Sequence, residues 1–258
     1  DVGSESLAVT YTLADGVNGK ASNYQLAGQN INGSITKRTL TMTGTSIGSR
    51  EYDGTKLAGT VSVGTVGNTV GLEDLVITGA GSDFSSADAG TTENLTVTYS
   101  LANGTTGKAS NYQLGTQTVS GSITKRTLTM GGTTIASREY DGTKLAGTVT
   151  VGTAGNLVSG ENLTVTLNNV ANFTSADVGS ESLAVTYTLA DGLNGKASNY
   201  QLAGQNINGS ITKRTLTMGG TTIQSREYDG TTTAGTVTVG TAGNLVSGEN
   251  LTVTLNNV

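Results

Sequence analysis

Apolar and polar positions alternate along much of the chain. Leu183, Val185, Tyr187 and Leu189 fall on one side of an extended backbone, with Ala184, Thr186 and Thr188 on the other. Leu163, Val165 and Leu167 alternate with Thr164 and Thr166, Leu128 and Met130 with Thr127 and Thr129, and Val149 and Val151 with Thr148 and Thr150. Tyr200, Leu202, Ile207 and Ile211 extend the same set. A period of two predicts strands with one buried and one wet face. Threonine suits the wet face because its β-branch fits the pleat. No segment carries the i, i+3, i+4, i+7 stripe of an amphipathic helix, and glycine interrupts too often for one to form. Asp141-Gly142, Asp191-Gly192, Asn194-Gly195 and Asn208-Gly209 supply the left-handed residues that tight turns need.

The pattern repeats. Arg-Glu-Tyr-Asp-Gly-Thr begins at Arg50, Arg138 and Arg226, each step being 88 residues. Lys-Ala-Ser-Asn-Tyr-Gln-Leu begins at Lys20, Lys108 and Lys196, and Lys-Arg-Thr-Leu-Thr-Met at Lys37, Lys125 and Lys213, with the same step. An insertion near Gly79–Asp83 is cancelled by a deletion near Asp88–Asn94, as expected of loops that vary between fixed strands. Residues 213–258 differ from 125–170 only at Gln224, Thr232 and Thr233, and residues 1–36 differ from 177–212 only at Val17. Such near-identity points to recent duplication within a longer array.

A period of this length exceeds a solenoid coil and suits a small self-contained domain. With about seven short strands per repeat and turn signals between them, the expected fold is all-β: tandem immunoglobulin-like β-sandwich domains with an 88-residue period. The division is 1–36 as the C-terminal part of a repeat, 37–124 and 125–212 as full repeats, and 213–258 as the N-terminal part of another. All nine tyrosines and all three methionines sit at repeat-equivalent positions, and Phe84 matches Phe173. That regularity marks them as core anchors, Tyr52, Tyr140 and Tyr228 among them.

Composition then narrows the chemistry. The chain has no His, Cys, Pro or Trp, so the commonest general base, the commonest metal ligand and every thiolate site are missing. The net charge of −5 argues against nucleic acid, which needs clustered Lys and Arg. No apolar run is long enough to span a membrane, and no signal peptide is present. Asp1 is not a translation start, so a mature segment or an excerpt is expected.

Tyr-Asp-Gly-Thr after a strand, then Gly-rich strands, then Asn-Tyr-Gln-Leu and a closing Gly-Ser-Ile-Thr-Lys-Arg, resembles the YDG-type tandem repeat of large bacterial surface proteins, the haemagglutinin-like filamentous adhesins. The resemblance runs over the whole chain. It implies an extracellular stalk or fibre at the bacterial cell surface and implies no catalytic residue, with repeat boundaries near Ile-Thr-Lys-Arg.

The most distinctive cluster is Arg138, Tyr140 and Asp141, with Arg50, Tyr52 and Asp53 and with Arg226, Tyr228 and Asp229. A ligand patch repeated along a fibre is one reading. A strand end is the stronger one: Tyr plugs the core, Asp-Gly turns the chain, and Arg pairs with a carboxylate. The acids of one repeat, Glu139, Asp141, Glu161, Asp177, Glu181 and Asp191, are too scattered to form a calcium loop, leaving calcium only at a junction. They offer no unique carboxylate pair for glycoside hydrolysis either. Thr164–Thr166 and Thr186–Thr188 are wet strand faces rather than an ice-binding ladder. Asn162, Asn172, Asn208 and Asn250 begin Asn-x-Thr/Ser triplets that need no glycan. Lys196 beside Asn199 lacks an identifiable acid to catalyse an isopeptide staple.

The expectation is therefore a non-enzymatic structural module without cofactor, metal or catalytic residues. It would space an adhesive tip from a cell surface or build a filament. Its partners would be neighbouring repeats or identical chains in a fibre, with a host or matrix ligand reached through other parts of the parent protein. Junctions such as Ser122-Ile123-Thr124-Lys125 would carry strand structure across rather than act as tethers. Multivalent binding of glycan or matrix protein is one alternative. Head-to-tail polymerisation by strand exchange is the other: residues 213–258 and 1–36 together lack only six positions of a repeat, those of Ala171 to Ala176. Either flanking sequence or a neighbouring chain would complete the terminal halves.

Overall fold

A computed structural model describes residues 1–257. Strands dominate, and the helical elements among the described residues are three single 3-10 turns, Ala21–Asn23, Ala109–Asn111 and Ala197–Asn199. The chain is all-β, as its alternation predicts. It divides into two compact units, Asp1–Arg126 and Thr127–Val258.

In the second unit one sheet has the order Arg138–Glu139, Gln205–Thr212, Gly179–Asp191, Leu163–Val170. Gly179–Asp191 is the hub. Its first half pairs antiparallel with Gln205–Thr212 (Gly179 opposite Ile211, Val185 opposite Gln205), and its second half with Leu163–Val170. The short Arg138–Glu139 strand runs parallel to the end of Gln205–Thr212. Smaller ladders complete the repeat: Arg126–Gly131 between Thr153–Gly155 and Tyr200–Leu202, and Thr134–Ile135 with Val149–Thr150.

Alternation determines what lies between these sheets. Leu183 and Val185 point inward and are fully buried, while Ala184 and Thr186 face water. Ile135, Phe173 and Ile211 close around them, with Val149, Val170, Tyr187 and Ile207 at the margin. Gly209 sits directly over this cluster. A Cβ there would lie 3.0 Å from Leu183 Cδ1 and 3.1 Å from Phe173 Cζ, so only glycine lets the strand approach the ring this closely. The polar atoms that the core encloses are paired, as low-dielectric burial requires. The Tyr187 hydroxyl donates to Thr133 Oγ1 at 2.9 Å, and Gln205 Nε2 donates to the Met130 carbonyl at 2.7 Å.

The first unit repeats this plan with Arg50–Glu51, Gln117–Thr124, Thr92–Asn103 and Leu75–Gly81. Its core holds Ile47, Tyr52, Phe84, Leu95, Val97, Tyr112 and Ile123. Residues 1–36 add a separate two-stranded sheet, Gly3–Val9 with Gln29–Ile35.

That hairpin is an internal experiment in context. It keeps the register of its near-identical counterpart, Gly3 opposite Ile35 and Val9 opposite Gln29. Yet its first strand has 7 residues where Gly179–Asp191 has 13. The second half of the longer strand is held by Leu163–Val170, and residues 10–15 face no such strand, so no ladder defines them as one. Burial follows the same logic: Leu183 is 1% exposed and Leu7 55%, and Tyr200 is 1% exposed and Tyr24 71%. The expectation that every tyrosine is a core anchor therefore holds for Tyr52, Tyr112 and Tyr200 and fails for Tyr24 and Tyr228. A side chain aimed at a core is buried only where the opposing half of the repeat is present.

Candidate functional site: the Tyr-Asp-Gly strand end and the junction it meets

Arg138 and Glu139 form the last short strand before the turn. The Arg138 side chain folds back to close it. Its Nε donates to the Leu145 carbonyl at 2.5 Å, Nη1 meets Asp141 Oδ1 at 2.5 Å, and Nη2 donates to the Thr143 carbonyl. The guanidinium also lies over the Phe173 ring, 5.8 Å from its centroid, which ties the loop to the core. Asp141 Oδ1 accepts in addition from the Thr143 amide at 2.9 Å and the Thr143 hydroxyl at 2.7 Å, an Asx-type turn. The hydroxyl and amide of Thr143, followed by Arg138, hold this carboxyl below the usual carboxylate range. Gly142 follows with φ of +77°, a left-handed value that an L side chain would resist. Arg50 with Asp53 and Arg226 with Asp229 form the same ion pair. The arginine-to-carboxylate turn read from the sequence is thus correct in all three copies.

Tyr140 behaves differently from that reading. It only partly packs on the core cluster of its own repeat. Its phenol instead donates to the carboxylate of Glu249, in the following repeat. That carboxylate, by accepting the hydrogen bond, pushes the Tyr140 phenol pKa up. Glu249 is presented by a turn in which its amide bonds the Val246 carbonyl at 3.0 Å, and a Cβ on Gly142 would stand 3.1 Å from Val246 Cγ1. Arg214 fastens the two repeats from the other side. Its Nε and Nη2 donate to the carbonyl and side-chain oxygen of Asn244 at 2.6 and 2.8 Å, and Nη1 reaches the Tyr140 carbonyl at 3.4 Å. Asn244 has φ of +68°, and its amide donates to the Thr215 carbonyl at 2.8 Å. Tyr140, Val178, Lys213, Arg214, Val246 and Glu249 line a cavity of about 210 Å³ at this junction.

The sequence reading singled out none of Arg214, Asn244, Val246 or Glu249. A signal was present. Asn-x-Val-x-x-Glu-x-Leu occurs at Asn68, Asn156 and Asn244, through a stretch where the copies otherwise diverge.

The other acids weighed from sequence are engaged locally. Glu161 accepts from the Tyr200 phenol at 2.7 Å, Glu181 from the Thr174 amide at 2.9 Å, Asp177 from Ser175 Oγ at 2.7 Å, and Asp191 from the Ala197 amide at 2.7 Å. Among the described residues no group of three or more acids is placed to hold a metal ion. Asn162 Oδ1 accepts the Leu193 amide at 2.5 Å, and Asn199 is buried with its amide on the Lys196 carbonyl. Thr164, Thr166, Thr186 and Thr188 are exposed. Among the described residues no helix is long and apolar enough to cross a membrane.

Comparison with known proteins bears on the same segments. No curated protein and no solved structure matches the chain. The YDG domain matches it twice in tandem, over residues 36–120 and 124–207, together more than half of its length. Each match contains one Arg-Glu-Tyr-Asp-Gly-Thr strand end, and the chain belongs to the YDG domain family.

Proposed function

We propose that this chain is a run of non-catalytic spacer modules from an extracellular bacterial repeat protein, an adhesin stalk or surface filament. Each 88-residue repeat acts as one immunoglobulin-like sandwich. The observation that carries this reading is the double grip of Arg214 on Asn244 in its own repeat and on the Tyr140 carbonyl of the preceding one. A spacer works only if successive modules resist bending. Fixed hydrogen bonds on both sides of a short junction remove the rotations that a flexible linker would allow. The strand end contributes as well, since Arg138 and Asp141 direct their polar atoms into the turn that presents Tyr140.

The test is a series of chains with increasing numbers of repeats, measured by small-angle scattering and electron microscopy. A maximum dimension that grows in proportion to copy number supports the spacer. Growth as the square root of copy number, the signature of a jointed coil, overturns it. A glycan and matrix-protein array run on the same material checks the adhesive alternative, which requires binding that strengthens with copy number.

A further inference from the structure

We infer that the Val70–Glu73 turn is a socket for the Tyr-Asp-Gly strand end of another copy of this repeat, and that Tyr228 is the matching plug. The inference deepens the spacer reading by naming what joins one module to the next. It rests on two junctions of the same kind in different states of occupancy. At the later one, Val178, Lys213, Arg214, Val246 and Glu249 surround the Tyr140 ring in a cavity of about 210 Å³. At the earlier one their counterparts Val2, Lys37, Arg38, Val70 and Glu73 line a cavity of about 440 Å³. Residues 1–36 correspond to 177–212 and contain no counterpart of Tyr140, so no tyrosine reaches this second cavity.

The earlier junction is already shaped. Arg38 holds Asn68 as Arg214 holds Asn244, with Nε on the carbonyl at 2.8 Å and Nη2 on the side-chain oxygen at 2.7 Å. The Glu73 amide bonds the Val70 carbonyl at 3.0 Å, the same turn as at Val246–Glu249. Glu73 accepts the Tyr112 phenol on one oxygen. A carboxylate has two oxygens and roughly four lone-pair sites, so a second phenol can share it. Val70 is 50% exposed and offers the apolar wall that Val246 presents to Gly142.

The plug is the complementary surface. Tyr228 is 94% exposed although Tyr52, at the equivalent position, is 5% exposed. A large aromatic ring on a preorganised turn, with Arg226 paired to Asp229 beneath it, is a surface built for contact. The surrounding segments fit together too. Residues 213–258 of one copy and 1–36 of the next carry the strands that pair in the complete repeat, so their union sets Tyr228 against the socket of residues 37–124. Leu7 and Ile35, 55% and 66% exposed, would then take the places of Leu183 and Ile211.

Sedimentation of the purified 258-residue chain tests this. The unmodified chain should associate head to tail, its mean mass rising with concentration above 26.0 kDa. Tyr228→Ala and Val70→Asp, both at exposed positions and checked for unchanged circular dichroism, should each weaken association. Mixing these two variants should yield a discrete dimer, because one retains the plug and the other the socket. A chain that stays monomeric throughout overturns the inference. So does association that neither substitution weakens, which would assign it to strand edges alone. Either failure leaves the length series, and with it the spacer reading, standing.

Discussion

The phenol of Tyr140 hydrogen-bonds the carboxylate of Glu249, 109 positions further along the chain and across a repeat boundary. The residue that gives the Tyr-Asp-Gly motif its name is therefore divided between two tasks. Its backbone amide, bonded to the Thr212 carbonyl at 2.9 Å, closes the sheet of its own repeat, while its ring and hydroxyl serve the junction.

Tyr140→Phe separates those tasks. Phenylalanine keeps the ring and the backbone pairing and removes the donor to Glu249. Amide hydrogen exchange should quicken at the Val246–Glu249 turn and stay unchanged at Leu183 and Val185, since only the junction loses a bond. Equal loosening of the sheet would show that the hydroxyl supports the core instead.

Burial depends on context, and one pair of truncations measures it. Leu183→Ala empties a fully buried position and should cost about 2–5 kcal/mol of the unfolding free energy of its unit. Leu7→Ala, in an almost identical stretch of sequence, removes a side chain that is 55% exposed and should cost about 0.5 kcal/mol or less. Chemical denaturation of both variants gives the comparison.

Gly209 and Gly33 form a second pair. A Cβ on Gly209 meets Leu183 Cδ1 at 3.0 Å and Phe173 Cζ at 3.1 Å, whereas on Gly33 it meets only Leu7 Cδ1 at 3.5 Å. Gly209→Ala should cost about 1–3 kcal/mol through overpacking. Gly33→Ala should be tolerated, and a thermal midpoint unchanged by either substitution would mean that the ring of Phe173 moves aside freely.

Acid should loosen the turns. Asp141 is held below its ordinary value of 3.8 by the Thr143 hydroxyl and amide and by Arg138. Asp229 is held below the same value by the Thr231 amide, then by Arg226 and the Thr231 hydroxyl. A depressed carboxyl binds protons more weakly in the folded state than in the unfolded one. Its stabilisation is thus present above pH 3.8 and is lost as pH falls through the folded value. The phenols run the other way: Tyr112 and Tyr140 are raised above 10.0, chiefly by their hydrogen bonds to Glu73 and Glu249, so their contribution holds below pH 10.0 and fades as they ionise. Unfolding midpoints should form a plateau between these limits, with the acid edge shifted upward in Asp141→Asn.

Much of the fold can be read from single residues. Leu183 and Val185 alternate with Ala184 and Thr186, and that period alone specifies a strand and its buried face. Asp141-Gly142 announces a turn because few other dipeptides adopt its backbone angles, and Arg138 three positions earlier is within reach of the carboxylate. These are local properties, carried by covalent geometry and side-chain chemistry over a few positions. The junction is of another kind. Tyr140 and Glu249 give no sequence signal of contact, because their meeting depends on where two whole repeats place their ends. Residues 1–36 and 177–212 make the same point, since all but identical sequences bury their leucines in one setting and expose them in the other. Alternation dictates which way a side chain points; only the tertiary structure decides whether anything stands opposite to exclude water from it.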